Sequence, residues 1–243
     1  MRVFKGLDNL PTLNNAVATM GSFDGLHSGH RALLDRVKSI ASEYKGESIV
    51  LTFEPHPRYV LGTGERMSLL STLEEKLWLL ERAGIDNVII IPFTIEFSHL
   101  SPKEYIEQVI SRLGLRALVV GYNHRFGHKK EGNYDFLERR HDVAVHMVEQ
   151  QQVVGSKVSS TIIRQLLTQG LTAKAAILLG HPYTILCETD AAGSAYVGEH
   201  KLLPAAGRYT AEVDGREVEV VVDDARHLHI TPAIHGKVMV QLK

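Results

Sequence analysis

From about residue 15 to residue 180, short apolar runs alternate with stretches of helical period. The runs are AVATM (16–20), SIVLTF (48–53), NVIIIPF (87–93), ALVVGYN (117–123) and VAVHMVE (143–149). Several are near-continuous in Val, Ile and Leu, the pattern of strands covered on both faces. Strands separated by helices need crossovers, so the alternation predicts a parallel sheet of the α/β class.

The intervening helices carry readable starts and stops. Leu33, Leu34, Val37, Ile40 and Ala41 trace one apolar face between about 29 and 44. Ser71 with Glu74 fits a capping box opening a helix that ends near Gly84. Ser101, Pro102 and Glu104 repeat the box with proline at the first helical position, and that helix is expected to stop at Gly114. A short helix is expected near 133–141. Two more follow, at 160–169 and 172–179, separated by Gly170 and closed by Gly180.

After His181-Pro182 the texture changes. PYTILCETD, KLLPAAGRYTAEV, REVEVVVDD and KVMVQLK read as short antiparallel strands. A domain boundary is expected near 182, dividing the chain into 1–182 and 183–243. The second part is small for an independent core.

Composition narrows the classes of function. The net charge is −1, so bulk nucleic-acid binding is not expected and any basic site must be local. No apolar run approaches the roughly 20 residues of a membrane helix. MRVFKGLDNL lacks the apolar core of a signal peptide. Cys187 is the single cysteine, which excludes an internal disulfide and makes the cytoplasm the expected location. Thirteen histidines are many, but their number places none of them at a site.

In open parallel sheets ligands bind beyond the carboxyl ends of the strands. Three unusual stretches fall there: GSFDGLHSGH (21–30), EPHPR (54–58) and GYNHRFGHKK (121–130). In the first, His27 precedes a helix and His30 lies in its first turn. Both imidazoles can then face an anion near exposed backbone N–H groups, with Gly29 allowing close approach. Phosphate handling is the favoured reading. Plain packing and a metal pair remain the alternatives, the metal lacking a nearby third ligand, so no metal-ligating residue is assigned.

The other stretches admit a bland reading as well. In VSSTIIR (158–164), Ser159 and Ser160 precede an apolar helix as an N-cap does. EPHPR is a strand-ending turn stiffened by Pro55 and Pro57, or a binding loop. GYNHRFGHKK is a solvated basic loop, or a loop that meets a phosphorylated acceptor.

Taken together these residues resemble the His-x-Gly-His nucleotidyltransferases, and more narrowly the bacterial riboflavin kinase/FAD synthetase family. The resemblance rests on Gly21, Phe23, Asp24, Gly25, His27, Gly29 and His30, and on the Phe-Glu-Pro-His-Pro run from Phe53 to Pro57. It continues through TLEEK (72–76), PFTIEFSHLSPKEY (92–105), GYNHRFG (121–127) and VSSTIIR, covering about residues 14 to 185. It implies a Rossmann-like parallel-sheet nucleotidyltransferase domain followed by a small antiparallel β domain.

The activity implied is adenylyl transfer from ATP, with Mg²⁺ on the triphosphate, to FMN, giving FAD and pyrophosphate. His27 and His30 would stabilise the α-phosphate and leaving group, and Ser160, Thr161 and Arg164 would hold the triphosphate. Gly21, Ser22, Phe23 and Asp24 would approach the nucleotide. His56 with Pro55 and Pro57 would border the flavin, with Asn123 a polar contact and Phe126 an apolar wall. Lys157 stands where the family commonly has arginine, and Leu61 where an aromatic ring often stacks on the flavin.

Family members usually continue into a riboflavin kinase barrel with a Gly-Phe-Pro-Thr-Ala-Asn run. Here that region reads ETDAAGSAYVGEHKLLPAAGRYTAEV (188–213), which lacks the run. Riboflavin kinase activity is therefore expected to be absent. Two other functions compete: adenylyl transfer to another phosphorylated acceptor, and a nucleotide- or flavin-binding regulatory protein without turnover. The expected partners are small molecules, with neither nucleic acid nor membrane, and the oligomeric state is left open.

Overall fold

The computed structural model describes the chain apart from residues 9, 64–66, 140–142, 151 and 154–155, with 152, 153, 156 and 157 described by backbone alone. The chain forms two compact units. One comprises Met1–Phe23, His30–Arg66 and Leu80–Gln150. The other comprises Asp24–Gly29, Met67–Leu79 and Gln151–Lys243. The change of texture near residue 182 thus falls inside the second unit.

The first unit is built on a six-stranded parallel sheet. Its strands are β1 (Arg2–Lys5), β2 (Val17–Met20), β3 (Ser48–Glu54), β4 (Asn87–Pro92), β5 (Ala117–Gly121) and β6 (Ala144–Val148). Their order is β1-β4-β3-β2-β5-β6, and every pairing is parallel. The order reverses between β2 and β5, which makes the carboxyl ends of those strands a topological switch point. Sheet residues such as Val17, Ile49, Val88 and Val119 are fully buried, as the continuous apolar runs require. The edge strand β1 went unread, being short and largely exposed.

Helices cover this sheet, and two of them carry residues of both units. These are α1 (Ser28–Glu43), α2 (Pro57–Val60), α3 (Leu73–Arg82), α4 (Ile95–Ser98), α5 (Pro102–Tyr105) and α6 (Tyr134–Glu138). On α1, Leu34, Val37, Ile40 and Ala41 face inward. The capping box at Ser101 and Glu104 is present in both directions. Beyond α5 the helix loosens into a π turn at Ile106–Ile110 and a 3₁₀ turn at Ser111–Leu113, then ends on Gly114 in the left-handed conformation.

One reading is corrected. The box opening α3 is formed by Thr72 and Glu75, not by Ser71 and Glu74. The Thr72 N–H donates to Glu75 Oε2 at 2.8 Å, and the Glu75 N–H to Thr72 Oγ1 at 3.3 Å. Both registers satisfy the pattern, and Ser71 is drawn off by partners distant in sequence.

The second unit holds a two-stranded hairpin, β7 (Gln152–Val153) and β8 (Ser156–Lys157), then α7 (Ser160–Thr168) and α8 (Thr172–Leu179). Six antiparallel strands follow: β9 (Tyr183–Thr189), β10 (Ser194–Tyr196), β11 (Gly207–Val213), β12 (Arg216–Val222), β13 (His227–Thr231) and β14 (Gly236–Leu242). Their order is β10-β13-β12-β11-β14-β9, with the end strands β9 and β10 joined by a tight turn, so the sheet nearly closes on itself. Alternate residues such as Val218, Val220 and Val222 point into a core shared with Leu70, Ile163, Leu167 and Leu179. Among the described residues no helix is long and apolar enough to cross a membrane.

Candidate functional site

The first unit has a cavity of about 560 Å³ at the carboxyl ends of β2, β3, β4 and β5. Its apolar wall includes Met20, Phe53, Phe93, Phe97, Tyr105 and Phe126. The rings form a chain of contacts: Phe53–Phe93, Phe93–Phe97 and Phe97–Tyr105 at 5.6 Å, then Tyr105–Phe126 at 5.2 Å. Such offset and edge-to-face contacts keep each ring in one orientation. Tyr105 is buried and donates to Met20 Sδ at 3.2 Å, and burial raises its hydroxyl far above the usual phenol value.

The mouth has the opposite character. Arg58, His99, Arg125, His128, Lys129 and Lys130 line it, and among the described residues no carboxylate does. Lys129 and Lys130 both hold positive φ, 51° and 61°, a conformation costly for residues with a Cβ. The loop turns sharply at Gly127, whose φ is 72° and where a Cβ would lie 2.9 Å from the Pro102 nitrogen. An apolar, ring-lined slot rimmed with cations suits a flat aromatic ligand carrying an anionic group.

His124 sits in the wall, its ring stacked on Phe126 at 5.7 Å and 23°. Its Nε2 is buried with no hydrogen-bond partner, and burial pushes the imidazole down to about 4. It therefore presents a neutral ring at pH 7. His56 caps α2 by accepting the Arg58 N–H at its Nδ1, 3.2 Å away, which places any ring proton on Nε2.

The second unit contains the Asp24–Gly29 turn. Gly25 has φ +80°, and a Cβ there would come within 2.7 Å of Leu70 Cδ1. The Gly25 N–H donates to Ser71 Oγ at 3.0 Å, and the Ser71 N–H to Asp24 Oδ1 at 3.1 Å. Arg164 Nη2 pairs with Asp24 Oδ2, and Arg164 Nε donates to the Ser68 carbonyl at 3.0 Å. Burial raises the Asp24 carboxyl, and the Arg164 charge pulls it back. Ser160 Oγ donates to the Asp24 carbonyl at 3.2 Å, and Ser28 Oγ to the Leu178 carbonyl at 2.8 Å. His181 turns Nε2 to the Gly25 carbonyl, 3.1 Å away.

His27 rides on this turn with 9% of its surface exposed. Burial, with a smaller contribution from His181, lowers it to about 4. It is a neutral hydrogen-bond donor at pH 7, able to take up positive character as charge develops on a bound group. The ring lies against Gly29, where a Cβ would stand 3.3 Å from His27 Nδ1.

The expected site residues thus fall into separate groups. Gly21, Ser22, His56, Pro57 and Phe126 line the cavity. Pro55 does not, and Asn123 is exposed outside the lining. Phe23 is buried, with the His30 ring meeting it edge-on at 5.1 Å. Asp24, Ser160 and Arg164 come together on the turn, while Thr161 is exposed. The Lys157 side chain lies outside the described residues. Leu61 lines the cavity and is 47% exposed. Among the described residues no group of three His, Cys, Asp or Glu side chains is placed to hold a metal ion.

Sequence reasoning missed Phe93, Phe97, His99 and Tyr105 as cavity residues. The signal for the first three was PFTIEFSH (92–99), two phenylalanines and a histidine at the end of a strand, with Tyr105 lying beyond it on α5.

The sequence profile of the FAD synthetase family matches residues 10–162. The bifunctional riboflavin kinase/FMN adenylyltransferase of Listeria monocytogenes is 36% identical over 173 residues, covering 70% of this chain and 55% of that protein. The protein of the same name from Escherichia coli is 32% identical over 191 residues, covering 76% of this chain and 61% of its own. The match thus takes in little more than half the length of these relatives. Among solved structures, the macrolide-efflux protein of Streptococcus pneumoniae shares the fold: TM-score 0.86 at 23% identity, over 100% of this chain and 90% of that one.

Proposed function

The chain belongs to the FAD synthetase family, and from that premise we propose that it transfers the adenylyl group of ATP to FMN. A phosphate oxygen of FMN attacks the α-phosphorus. One P–O bond forms, the bond from the α-phosphorus to the bridging oxygen breaks, and pyrophosphate leaves; Mg²⁺ on the triphosphate would neutralise its charge. The single observation that carries this reading is the cavity. Its aromatic wall suits an isoalloxazine ring, and the Arg and Lys side chains at its mouth suit a phosphate.

Catalysis is then positioning and charge stabilisation, since a phosphate dianion needs no general base. His27 donates its N–H to the reacting phosphate, and His30 acts beside the leaving group. The backbone of Gly21 to Asp24 meets the nucleotide, and Lys157, Ser160 and Thr161 serve the triphosphate. Asn123 and Pro55, whose sequence neighbours His124 and His56 line the cavity, would serve as accessory contacts to the flavin. Arg164, held by Asp24 and Ser68, supports the turn. That engagement is also the observation favouring a second reading, a nucleotide-binding protein without turnover. The expected transferase residues lie within 1–182, the His27 turn folding with residues 151–243, and 183–243 lack riboflavin kinase activity, because the Gly-Phe-Pro-Thr-Ala-Asn run is missing.

The test incubates the chain with ATP, Mg²⁺ and, in parallel, FMN, riboflavin or phosphopantetheine, following products by chromatography. FAD is expected from FMN alone, with no FMN formed from riboflavin. His27→Ala and His30→Ala are each expected to slow FAD formation by about 10²-fold or more. ATP binding without pyrophosphate release from any acceptor would favour the second reading.

A further inference from the structure

We propose that Lys201 and Glu75 are positioning residues for the His27-bearing turn, so that the C-terminal β sheet is a working part of turnover. The inference rests on the transferase reading for its kinetic arm only.

Lys201 is 3% exposed, and its Nζ has three acceptors: the Leu70 carbonyl at 2.7 Å, Glu75 Oε2 at 2.8 Å and the Thr184 carbonyl at 2.6 Å. The ammonium also stands 4.3 Å from the centre of the Tyr183 ring. Glu75 is fully buried. Its Oε1 accepts the Leu186 N–H at 2.7 Å, and its Oε2 accepts the Thr72 N–H. The segment Leu69–Leu70 is laced to the β10–β11 connection by two further bonds, Leu69 N–H to the His200 carbonyl at 2.6 Å and Leu202 N–H to the Leu69 carbonyl at 2.8 Å.

Ser71 lies between the two groups this pair holds, Leu70 and Thr72. Its N–H and Oγ bind Asp24 and Gly25, and the Leu70 side chain is the surface against which Gly25 rests. The path runs from Lys201 through the Leu70 and Thr72 backbone to Ser71, and from Ser71 to the turn that carries His27. A buried ion pair seldom raises stability above that of an apolar replacement. Fully satisfied, as here, it fixes one arrangement of the groups around it.

The experiment compares the full chain with Lys201→Met and Ser71→Ala, and with Val238→Ala as a control. Lys201→Met keeps the two backbone donors on Glu75. Ser71→Ala leaves the ion pair intact and decides the question should Lys201→Met fail to fold. Val238 is a buried residue of the same core and forms none of the hydrogen bonds of these links. Three readouts are taken: kcat and KM for FMN, thermal unfolding, and the NMR titration of the His27 imidazole, assigned with His27→Ala.

For the folded variants kcat is expected to fall about tenfold or more while KM for FMN stays within about threefold. His27, next to His181, is expected to titrate above its wild-type value of about 4. Val238→Ala is expected to lower the unfolding temperature and leave kcat and His27 unchanged. Unchanged kcat and His27 titration in Ser71→Ala would overturn the proposal, as would the same kcat loss in Val238→Ala. Should the wild-type chain make no FAD, the transferase reading fails, and the His27 titration alone decides the positioning role.

Discussion

At the scale of single residues, two imidazoles shielded from water, His27 buried and His124 half-buried, make stability depend on pH. His27 and His124 are both pushed by burial down to about 4. Unfolded, each returns to about 6.5. Between those values the unfolded chain binds protons that the folded chain refuses, so stability rises with pH across that window. For His27 the full shift corresponds to about 3 kcal/mol. Asp24 acts with the opposite sign just above pH 3.8, because its folded carboxyl keeps a proton that the unfolded one releases. Urea unfolding at pH 7, 5.5 and 4.5 is expected to show the midpoint falling as the solution is acidified. His124→Gln should flatten that dependence. A midpoint independent of pH over this range would contradict the burial of both rings.

At the scale of elements, the turn at Gly25 is a tightly constrained piece of backbone in the second unit. Its φ of +80° excludes ordinary side chains, and Leu70 fills the space a Cβ would need. Gly25→Ala is expected to destabilise the chain by about 2 kcal/mol or more, from left-handed backbone and overpacking together. A thermal unfolding scan measures it, and a variant as stable as the parent would mean that the turn relaxes freely. The Gly-rich run announced a tight turn, and the strand alternation announced the parallel sheet. The helix stops at Gly114 and Gly180 followed from local chemistry alone. The slip of the capping box from Ser71 to Thr72 did not. Ser71's partners, Asp24 and Gly25, lie more than forty residues away. Of the aromatic wall only Phe126 was expected; Phe93, Phe97 and Tyr105 were hidden for the same reason, since they join it only once the sheet is built.

At the scale of the whole molecule, the division into compact units does not follow chain order. The turn carrying His27 and the segment Met67–Leu79 fold with residues 151–243. A chain cut after residue 182 would lose all six strands of the second sheet. Leu70, Ile163, Leu167 and Leu179 would then be stripped of the core they share with Ile185, Val220 and Val240. Glu75 would lose Lys201 and the Leu186 N–H, leaving a carboxylate with its compensating charge removed. Each large apolar side chain left in water forgoes about 1.5–3 kcal/mol, and an uncompensated buried charge costs about 3–5 kcal/mol. Those losses together are of the order of a domain's entire stability, about 5–15 kcal/mol. The 1–182 fragment is therefore expected to be poorly soluble and to make no FAD, against the FAD synthesis proposed for the intact chain. Solubility, near-ultraviolet circular dichroism and FAD synthesis measured on both chains check this. A fragment that is soluble, natively packed and as active as the intact chain would mean that the β sheet is a passenger, and that the turn finds its shape without Lys201.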